Sequence, residues 1–469
     1  WTVSGMNRLF QTLLHPAEDA DPQLRSELQG MMPGMLVEQF ASTLLDNVNV
    51  IVMGLIGNAA IAGVSQVGTI NYILMIVFQA FAMGGTALVA QAAGAKQDRH
   101  CRRMAGAALL LGLTISGVIA LLLFFLRAPL IELLFGSAEP EVVANSLLYY
   151  GFTALSPPLW FVYFQCSGFM RSCGDTRRPM MVSISSNVVG ILGNLLFTLH
   201  LQMGVSGAGL SYLLSVGSGA AAALDLVLRR NFYARPSFRL DRTTLADMGR
   251  VSHISTPAAL ENLLFNGTRL VLQVFLAGMG AVAISANQVF NSITNLLFIP
   301  FMAVNFLTAP LTGRTAGRGG VTAVRPCVGY LYRTGRSIAV WTAAAALLLA
   351  APLTLLFCRD AQVMPLVEHM VMLYAPFILF LPGCFILPNG FKAVGDARYA
   401  MIFSSVSAWV IRVGGMWLLG LRFGLGTTAI VLTQGLDHFA RYVAYKRRYR
   451  GDRWLRELTA VHHKNEAGR

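Results

Sequence analysis

The stretch Met170-Arg-Ser-Cys-Gly-Asp-Thr-Arg177 returns, altered but in step, as Phe391-Lys-Ala-Val-Gly-Asp-Ala-Arg398. Each copy closes an apolar run, turns through Gly-Asp and reopens on an arginine. Their offset is 221 residues. At nearly the same offset, Gly57-Asn-Ala-Ala-Ile-Ala62 meets Gly280-Ala-Val-Ala-Ile-Ser285, and Gln91-Ala-Ala-Gly94 meets Arg314-Thr-Ala-Gly317. Three matches in order at one offset mark an internal repeat, so the chain reads as two equivalent halves. The charged segment 229–250 joins them.

Composition says what the halves are made of. Hydrophobic residues supply 55% of the 469 positions and charged ones 12%, against about 25% charged in soluble domains. The mean hydropathy is +0.59. So few charges cannot cover a water-exposed surface, so most of this chain faces lipid. Apolar runs long enough to cross a bilayer fall at 31–57, 60–92, 104–126, 142–170, 179–199, 206–228, 251–278, 282–312, 337–357, 364–391, 399–420 and 425–445. The expected fold is an all-α membrane protein of twelve transmembrane helices in two pseudo-symmetric six-helix bundles. Its segments are a tail (1–30), an N-lobe (31–228), a linker (229–250), a C-lobe (251–445) and a basic tail (446–469).

The basic residues orient these runs, because cytoplasmic loops retain Lys and Arg. With the N-terminus inside, the outer loops hold only Arg127, Arg359 and Arg422, and the runs themselves only Arg269 and Arg412. The rest of the 36 basic residues fall on the inner side. Both termini are therefore expected in the cytoplasm of a cell (inner) membrane. The net charge of +14 reads as a topology signal with affinity for anionic lipid head groups, not as a nucleic-acid surface. The first thirty residues are polar, with Glu18, Asp19, Asp21 and Glu27, and hold no signal-peptide core. The six cysteines show neither metal-ligand spacing nor a disulfide framework and read as buried thiols. No phosphate loop, HExxH, GxSxG or CxxC element appears, so no enzyme and no cofactor are expected.

Six spans is an even number, so both halves insert with one orientation, related by an axis along the membrane normal, and the site belongs between them near mid-membrane. Several segments resemble the multidrug and toxic compound extrusion (MATE) family. The first span reads Pro33-Gly-Met-Leu-Val-Glu38-Gln, then Leu45-Asp46-Asn, then Met53-Gly54. The second ends Gly85-Thr-Ala-Leu-Val-Ala-Gln91-Ala-Ala-Gly94-Ala95. Arg171-Ser-Cys-Gly174-Asp175-Thr176 with Pro179 is similar to the family's Arg-Gly-x-Gly-Asp-Thr loop, with Ser172 replacing its first glycine. Pro257 through Glu261 and Gly280 to Gln288 match the seventh and eighth spans. A competing likeness, Gly94 with Asp98, Arg99, Arg102 and Arg103, resembles the major-facilitator loop but has Cys101 at that motif's glycine. The Gly-Asp-Thr loop and its repeated copy outweigh it.

Ionisable residues at mid-bilayer are functional candidates by default. Asp46 lies fifteen residues into the first run, about 22 Å along a helix, and the resemblance makes it the N-lobe acid. In the fifth run Asn187 and Asn194 share a face and Thr198 follows Asn194 by four. Some relatives carry a second acid where Thr198 stands. One carboxylate with amide and hydroxyl oxygens suits a hard cation or a single proton, so Na⁺ at Asp46 is the only metal ion considered. Glu38 and Glu261 are repeat equivalents near the inner end, with snorkelling or capping as the alternative. The same offset sets Arg269 opposite Asp46, a candidate latch. Asn287, Asn291 and Asn295 form one stripe that must face protein or water. With Glu38, Glu261 and Arg269 they are the expected lining of a substrate cavity, interhelical hydrogen bonding being the alternative for the stripe. Asp225–Arg229 and Asp437–Arg441 read as structural pairs at the inner interface, while Arg412 has no evident partner.

The resemblance implies a secondary active antiporter, a monomer, that exports small amphipathic or cationic organic compounds in exchange for Na⁺ or H⁺ by alternating access. The alternatives are a lipid-linked oligosaccharide flippase of the same superfamily or a major-facilitator-type transporter. A flippase would need a strongly cationic cavity, and only Arg269 and Arg412 lie within the runs.

Overall fold

The computed structural model describes residues 22–54, 58–136, 139–229, 232–238, 241–456 and 458, with the side chains of all but 41, 43–54, 58, 59, 61, 199, 277 and 281. Every regular element among them is helical. That is what lipid demands, since a helix satisfies its backbone polar groups within one segment.

The chain divides into two compact units, one of residues 33–259 and the other of 1–32 with 260–469. The division falls inside two long helices, at Pro33 in one and two residues beyond Pro257 in the other. Helix α1 (Pro22–Gly54) passes from one unit to the other at Pro33. It begins well inside the segment expected to be a tail. The first unit continues with α2 (Asn58–Gly94), α3 (Asp98–Phe125), α4 (Arg127–Phe135), α5 (Pro140–Thr153), α6 (Pro157–Ser172), α7 (Arg177–Gly193) and α8 (Gly204–Leu228). Helix α7 runs on as π-helical turns over Asn194–His200. Helix α9 (Arg242–Ala277) changes unit beyond Pro257, and it absorbs the last residues of the expected linker. Asp241 caps it: its carboxylate accepts the Thr243 hydroxyl (2.6 Å), the Thr244 amide (2.7 Å) and the Thr244 hydroxyl (2.9 Å). These bonds hold the carboxyl at about 2, below the usual range.

The second unit continues with α10 (Ala281–Leu348), α11 (Ala350–Phe357), α12 (Met364–Ile378), α13 (Leu381–Ala393), α14 (Ala397–Ser407) and α15 (Thr427–Arg450). Helix α14 also runs into π-helical turns, over Ala408–Gly414 and Met416–Arg422. Among the described residues six helices are long and apolar enough to cross a membrane, and α12 with α13, bent by 49°, would make a seventh if the pair is one span. The sequence offers twelve runs, and two causes account for part of the gap. Helix α10 covers two runs at once, interrupted only by Gly320 (φ 62°, ψ −153°). The runs at 142–170 and 364–391 are each split into two shorter helices, which restart at Pro157 and at Leu381-Pro382. Proline lacks an N–H and sits best in a first turn, so a helix interior that meets it breaks and begins again.

The backbone repeats as the sequence does. Gly174 (φ 88°) and Gly395 (φ 107°) are both left-handed, as are Gln202 with Gly424 and Gly204 with Gly426. In the first pair, the Asp175 amide reaches back to the Met170 carbonyl and the Asp396 amide to that of Phe391, each at 3.0 Å. This six-residue closure ends α6 and α13 alike and requires a left-handed residue, which glycine supplies without a Cβ penalty. Gly174→Ala is therefore expected to cost about 1–2 kcal/mol. Gly30→Ala in α1, where a Cβ would meet nothing within 4 Å, is expected to be neutral or slightly stabilising. Thermal unfolding of the two variants in detergent separates the cases.

Packing within the first unit rests on aromatic and small residues. Trp160, Phe161 and Phe169 are buried among Phe78, Phe81 and Met104. Helices α7 and α8 meet through reciprocal serines: Ser186 Oγ donates to the Ser215 carbonyl (2.6 Å) and Ser215 Oγ to that of Ser186 (2.8 Å). A Cβ at Gly219 would stand 2.8 Å from Ser186 Oγ, so the close approach needs glycine there. On the outside, Leu133 and Leu348 are 81% and 80% exposed, tolerable in hydrocarbon but not as part of so broad an apolar surface in water.

Candidate functional site

Helix α1 carries Glu38, Ser42 and Asp46 at steps of four, which sets them on one face of the helix. Its neighbour α7 carries Ser183 and Asn187 at the same step. The two serines meet across the helices, Ser42 Oγ to Ser183 Oγ at 3.4 Å. Asn187 is half-buried. Asn194 and Thr198 are buried in the π-helical turns that end α7, and Thr198 Oγ1 donates to Asn194 Oδ1 at 3.5 Å. Such π-turns are rare and recur at functional sites. The Asp46 side chain lies outside the described residues. So of the four residues expected at an ion site, the structure brings Asn194 and Thr198 together and leaves Asn187 on the same helix.

Glu38 and Glu261 are each ion-paired, which neither snorkelling nor helix capping anticipates. Glu38 Oε1 receives Arg171 Nη2 at 2.6 Å, and Glu261 Oε2 lies 2.7 Å from Lys392 Nζ. Both glutamates are buried. Arg171 and Lys392 stand at one position of the repeated motif, in the last turns of α6 and α13, so each half carries the same clasp between its first helix and that turn. Arg171→Lys392 correspondence was legible in the opening motif, but only the geometry shows what the cation faces. The Tyr163 hydroxyl also engages Glu38 and Ser183. Breaking a buried pair leaves one charge uncompensated, at about 3–5 kcal/mol. Glu261→Lys and Lys392→Glu are each expected to yield aggregated protein, and the double exchange to recover a monodisperse peak. Size-exclusion chromatography in detergent reads the result, and failure of the double exchange would argue against the clasp.

The amide stripe lies on α10. Asn287 and Asn291 are half-buried and Asn295 is exposed, while Ala286, Phe290 and Ile293 beside them are buried in the C-terminal half. The stripe therefore points away from that half's own core. Arg269 is exposed on α9 and close enough to Arg412 to repel it. Its expected latch partner Asp46 has no described side chain. Asp225 and Arg229 pair at 2.7 Å on an exposed surface, as the spacing suggests.

Asp437 and Arg441 also pair, at 2.6 Å, and the pair is enclosed within the C-terminal half. Asp437 has no exposed surface and sits mid-way along α15. Arg412, which the sequence left without a partner, lies with Nε 3.0 Å from the same carboxylate oxygen. The other oxygen accepts the Ser407 hydroxyl. An arginine in the eleventh run and an aspartate in the twelfth were each visible in the sequence. Their meeting was not, because the i,i+4 neighbour Arg441 already seemed to satisfy Asp437. Both guanidiniums also lie over the Phe265 ring, at 4.9 Å each. Such contacts supply about 2 kcal/mol when desolvated, less than the several kcal/mol per ion that burial costs. Among the described residues, no three or more His, Cys, Asp or Glu side chains could hold a metal ion.

Comparison with known proteins agrees with this architecture. A family model described as MatE matches the chain twice, at residues 35–196 and 257–418, so the matched segments follow the internal repeat. The uncharacterized transporter YisQ of Bacillus subtilis is 23% identical over 421 residues, covering 88% of this chain and 91% of that protein. The probable multidrug resistance protein NorM of Thermotoga maritima is 25% identical over 430 residues, covering 89% and 90%. A crystal structure of a MATE protein in the bent conformation superposes with a TM-score of 0.84 at 17% identity, covering 96% and 98%. One of the Vibrio cholerae MATE transporter VcmN does so with 0.84 at 21%, covering 92% and 98%. At such identities the structures speak to the fold. Two family segments spanning more than half the chain, on a helical scaffold repeated in both halves, make this multi-pass membrane protein a transporter of the MATE family, and not an enzyme.

Proposed function

We propose that the chain is a secondary active antiporter that exports small amphipathic or cationic organic compounds, drugs among them, in exchange for Na⁺ or H⁺. It works as a monomer in the cell (inner) membrane, with twelve spans and both termini in the cytoplasm. Asp46 takes the coupling ion with Asn187, Asn194 and Thr198 as neighbours. The substrate cavity is lined by Asn287, Asn291, Asn295 and Arg269, with Glu38 and Glu261 at its inner end.

The contact between Ser42 and Ser183 supports this reading most directly. The first and fifth spans of one half run the same way, so one turn beyond that contact Asp46 and Asn187 stand level. An amide oxygen beside a carboxylate suits an ion stripped of most of its water. Binding that ion more tightly in one conformation than the other is what drives the exchange. Multidrug export is what the names of relatives such as the Staphylococcus MepA proteins state.

Transport into vesicles with imposed Na⁺ and pH gradients, applied separately, tests the proposal across a panel of cationic and neutral compounds. Uptake driven by one gradient identifies the ion, and uptake indifferent to both removes the antiport reading.

A further inference from the structure

We propose that the interior of the C-terminal half is an anion site, in which Arg412 and Arg441 bind one monovalent anion, either chloride or the carboxylate of a transported compound. Three observations carry it.

The first is charge. Among the described residues Asp437 is the one carboxylate paired with either guanidinium, and both of its oxygens are already engaged, by Arg412, Arg441 and Ser407. The other buried cation nearby, Lys392, is matched by Glu261. Two guanidiniums against one carboxylate leave an excess positive charge enclosed in the bundle.

The second is the balance of donors and acceptors. Arg412 Nη2 lies 3.4 Å from His438 Nε2. A guanidinium only donates, so that ring nitrogen accepts, and the imidazole adds no negative charge. Arg441 Nη1 reaches Ser404 Oγ at 3.4 Å. The Nε groups of Arg412 and Arg441 are buried with no aligned hydrogen-bond acceptor, although both side chains are more than nine-tenths buried. For Arg412 Nε the 3.0 Å approach to Asp437 is electrostatic and off the N–H axis. Beyond Asp437, the described residues offer these two guanidiniums no further acceptor carrying negative charge.

The third is the repeat. At the offset of 221–222, Ser407 corresponds to Ser186, Asp437 to Ser215, Arg441 to Gly219 and Arg412 to Ile191. The N-terminal half makes the same helix contact with reciprocal serine bonds and a glycine. The fold therefore does not need charges there. Their presence in one half only, in hydrocarbon where ionisable residues mark function, points to a ligand of opposite sign.

The test is anion-dependent stability of the full chain in detergent at constant Na⁺, in sodium chloride, acetate or methanesulfonate. The wild type is expected to gain several degrees in unfolding midpoint, saturably, with chloride or acetate over methanesulfonate. Preference for chloride names the inorganic ion, and preference for acetate names the substrate carboxylate. Arg412→Gln is expected to lose this dependence and to match or exceed the wild type in methanesulfonate, because Asp437 and Arg441 remain as a neutral pair. A midpoint that ignores the anion overturns the proposal, as does an anion effect undiminished in Arg412→Gln. Should that variant not fold, equilibrium dialysis of the wild type against radioactive chloride decides: one acetate-competed ion per chain supports the site and no saturable binding sinks it. The carboxylate arm rests on the export reading, but Asp46→Asn is expected to keep the full anion response, so failure of ion coupling and failure of this site are told apart.

Discussion

Asp46→Asn is expected to abolish ion-driven export while leaving expression and folding intact. Asparagine keeps the shape and hydrogen-bonding reach of aspartate and removes only its charge and its proton. If Asp46 holds the coupling ion, the variant binds neither H⁺ nor Na⁺ more tightly in one conformation than in the other, and a ligand without differential affinity shifts no equilibrium. Coupling energies of about 1–3 kcal/mol correspond to roughly 5- to 150-fold in affinity. Loss of that range brings ethidium efflux close to the rate of cells lacking the protein. Asp46→Glu retains the charge and is expected to keep partial activity. Thr198→Val removes a hydroxyl that the structure places against Asn194, and it is expected to weaken ion dependence without abolishing transport. Normal ethidium efflux by Asp46→Asn removes Asp46 from the mechanism whatever the other variants do.

The legibility of this chain differs sharply between backbone and side chains. The two halves were readable because a repeat leaves matched residues wherever the backbone has no choice. The Gly-Asp turns at 174–175 and 395–396 are such places, and both show the same left-handed closure. Crossings were less legible. Hydropathy cannot see that Pro157 and Pro382 restart helices inside single apolar runs, or that α10 carries two runs with one break at Gly320. Ion pairs were the least legible. Glu38 and Arg171 are far apart in sequence, and nothing local in either one specifies the other. Arg412 shows why intramembrane charge defeats nearest-neighbour reasoning. Its partner Asp437 already had a plausible one four residues away, yet a single carboxylate oxygen faces both cations.

Asp437→Asn is expected to be the most damaging single substitution in the C-terminal half. The carboxylate faces two guanidiniums at 2.6 and 3.0 Å and has no exposed surface. Removing one partner of a buried ion pair costs about 3–5 kcal/mol, since the remaining charge has no solvent to turn to. Here two like charges remain, so the upper end of that range applies, a large share of the stability of any domain. The expected outcome is loss of monodisperse protein in detergent, with full-length chain still synthesised. Lesion of the charge balance is distinguished from lesion of packing by a second variant that copies the other half. Arg412→Ile, Asp437→Ser and Arg441→Ala together install side chains like those with which Ile191, Ser215 and Gly219 make the equivalent contact. Replacing a whole buried ion cluster by well-packed neutral residues is often neutral or stabilising. The triple variant is therefore expected to fold where Asp437→Asn does not, and to lose the response to chloride and acetate. If Asp437→Asn unfolds within about 1 kcal/mol of the wild type, a difference the size of an average point substitution, the carboxylate is not what neutralises these arginines.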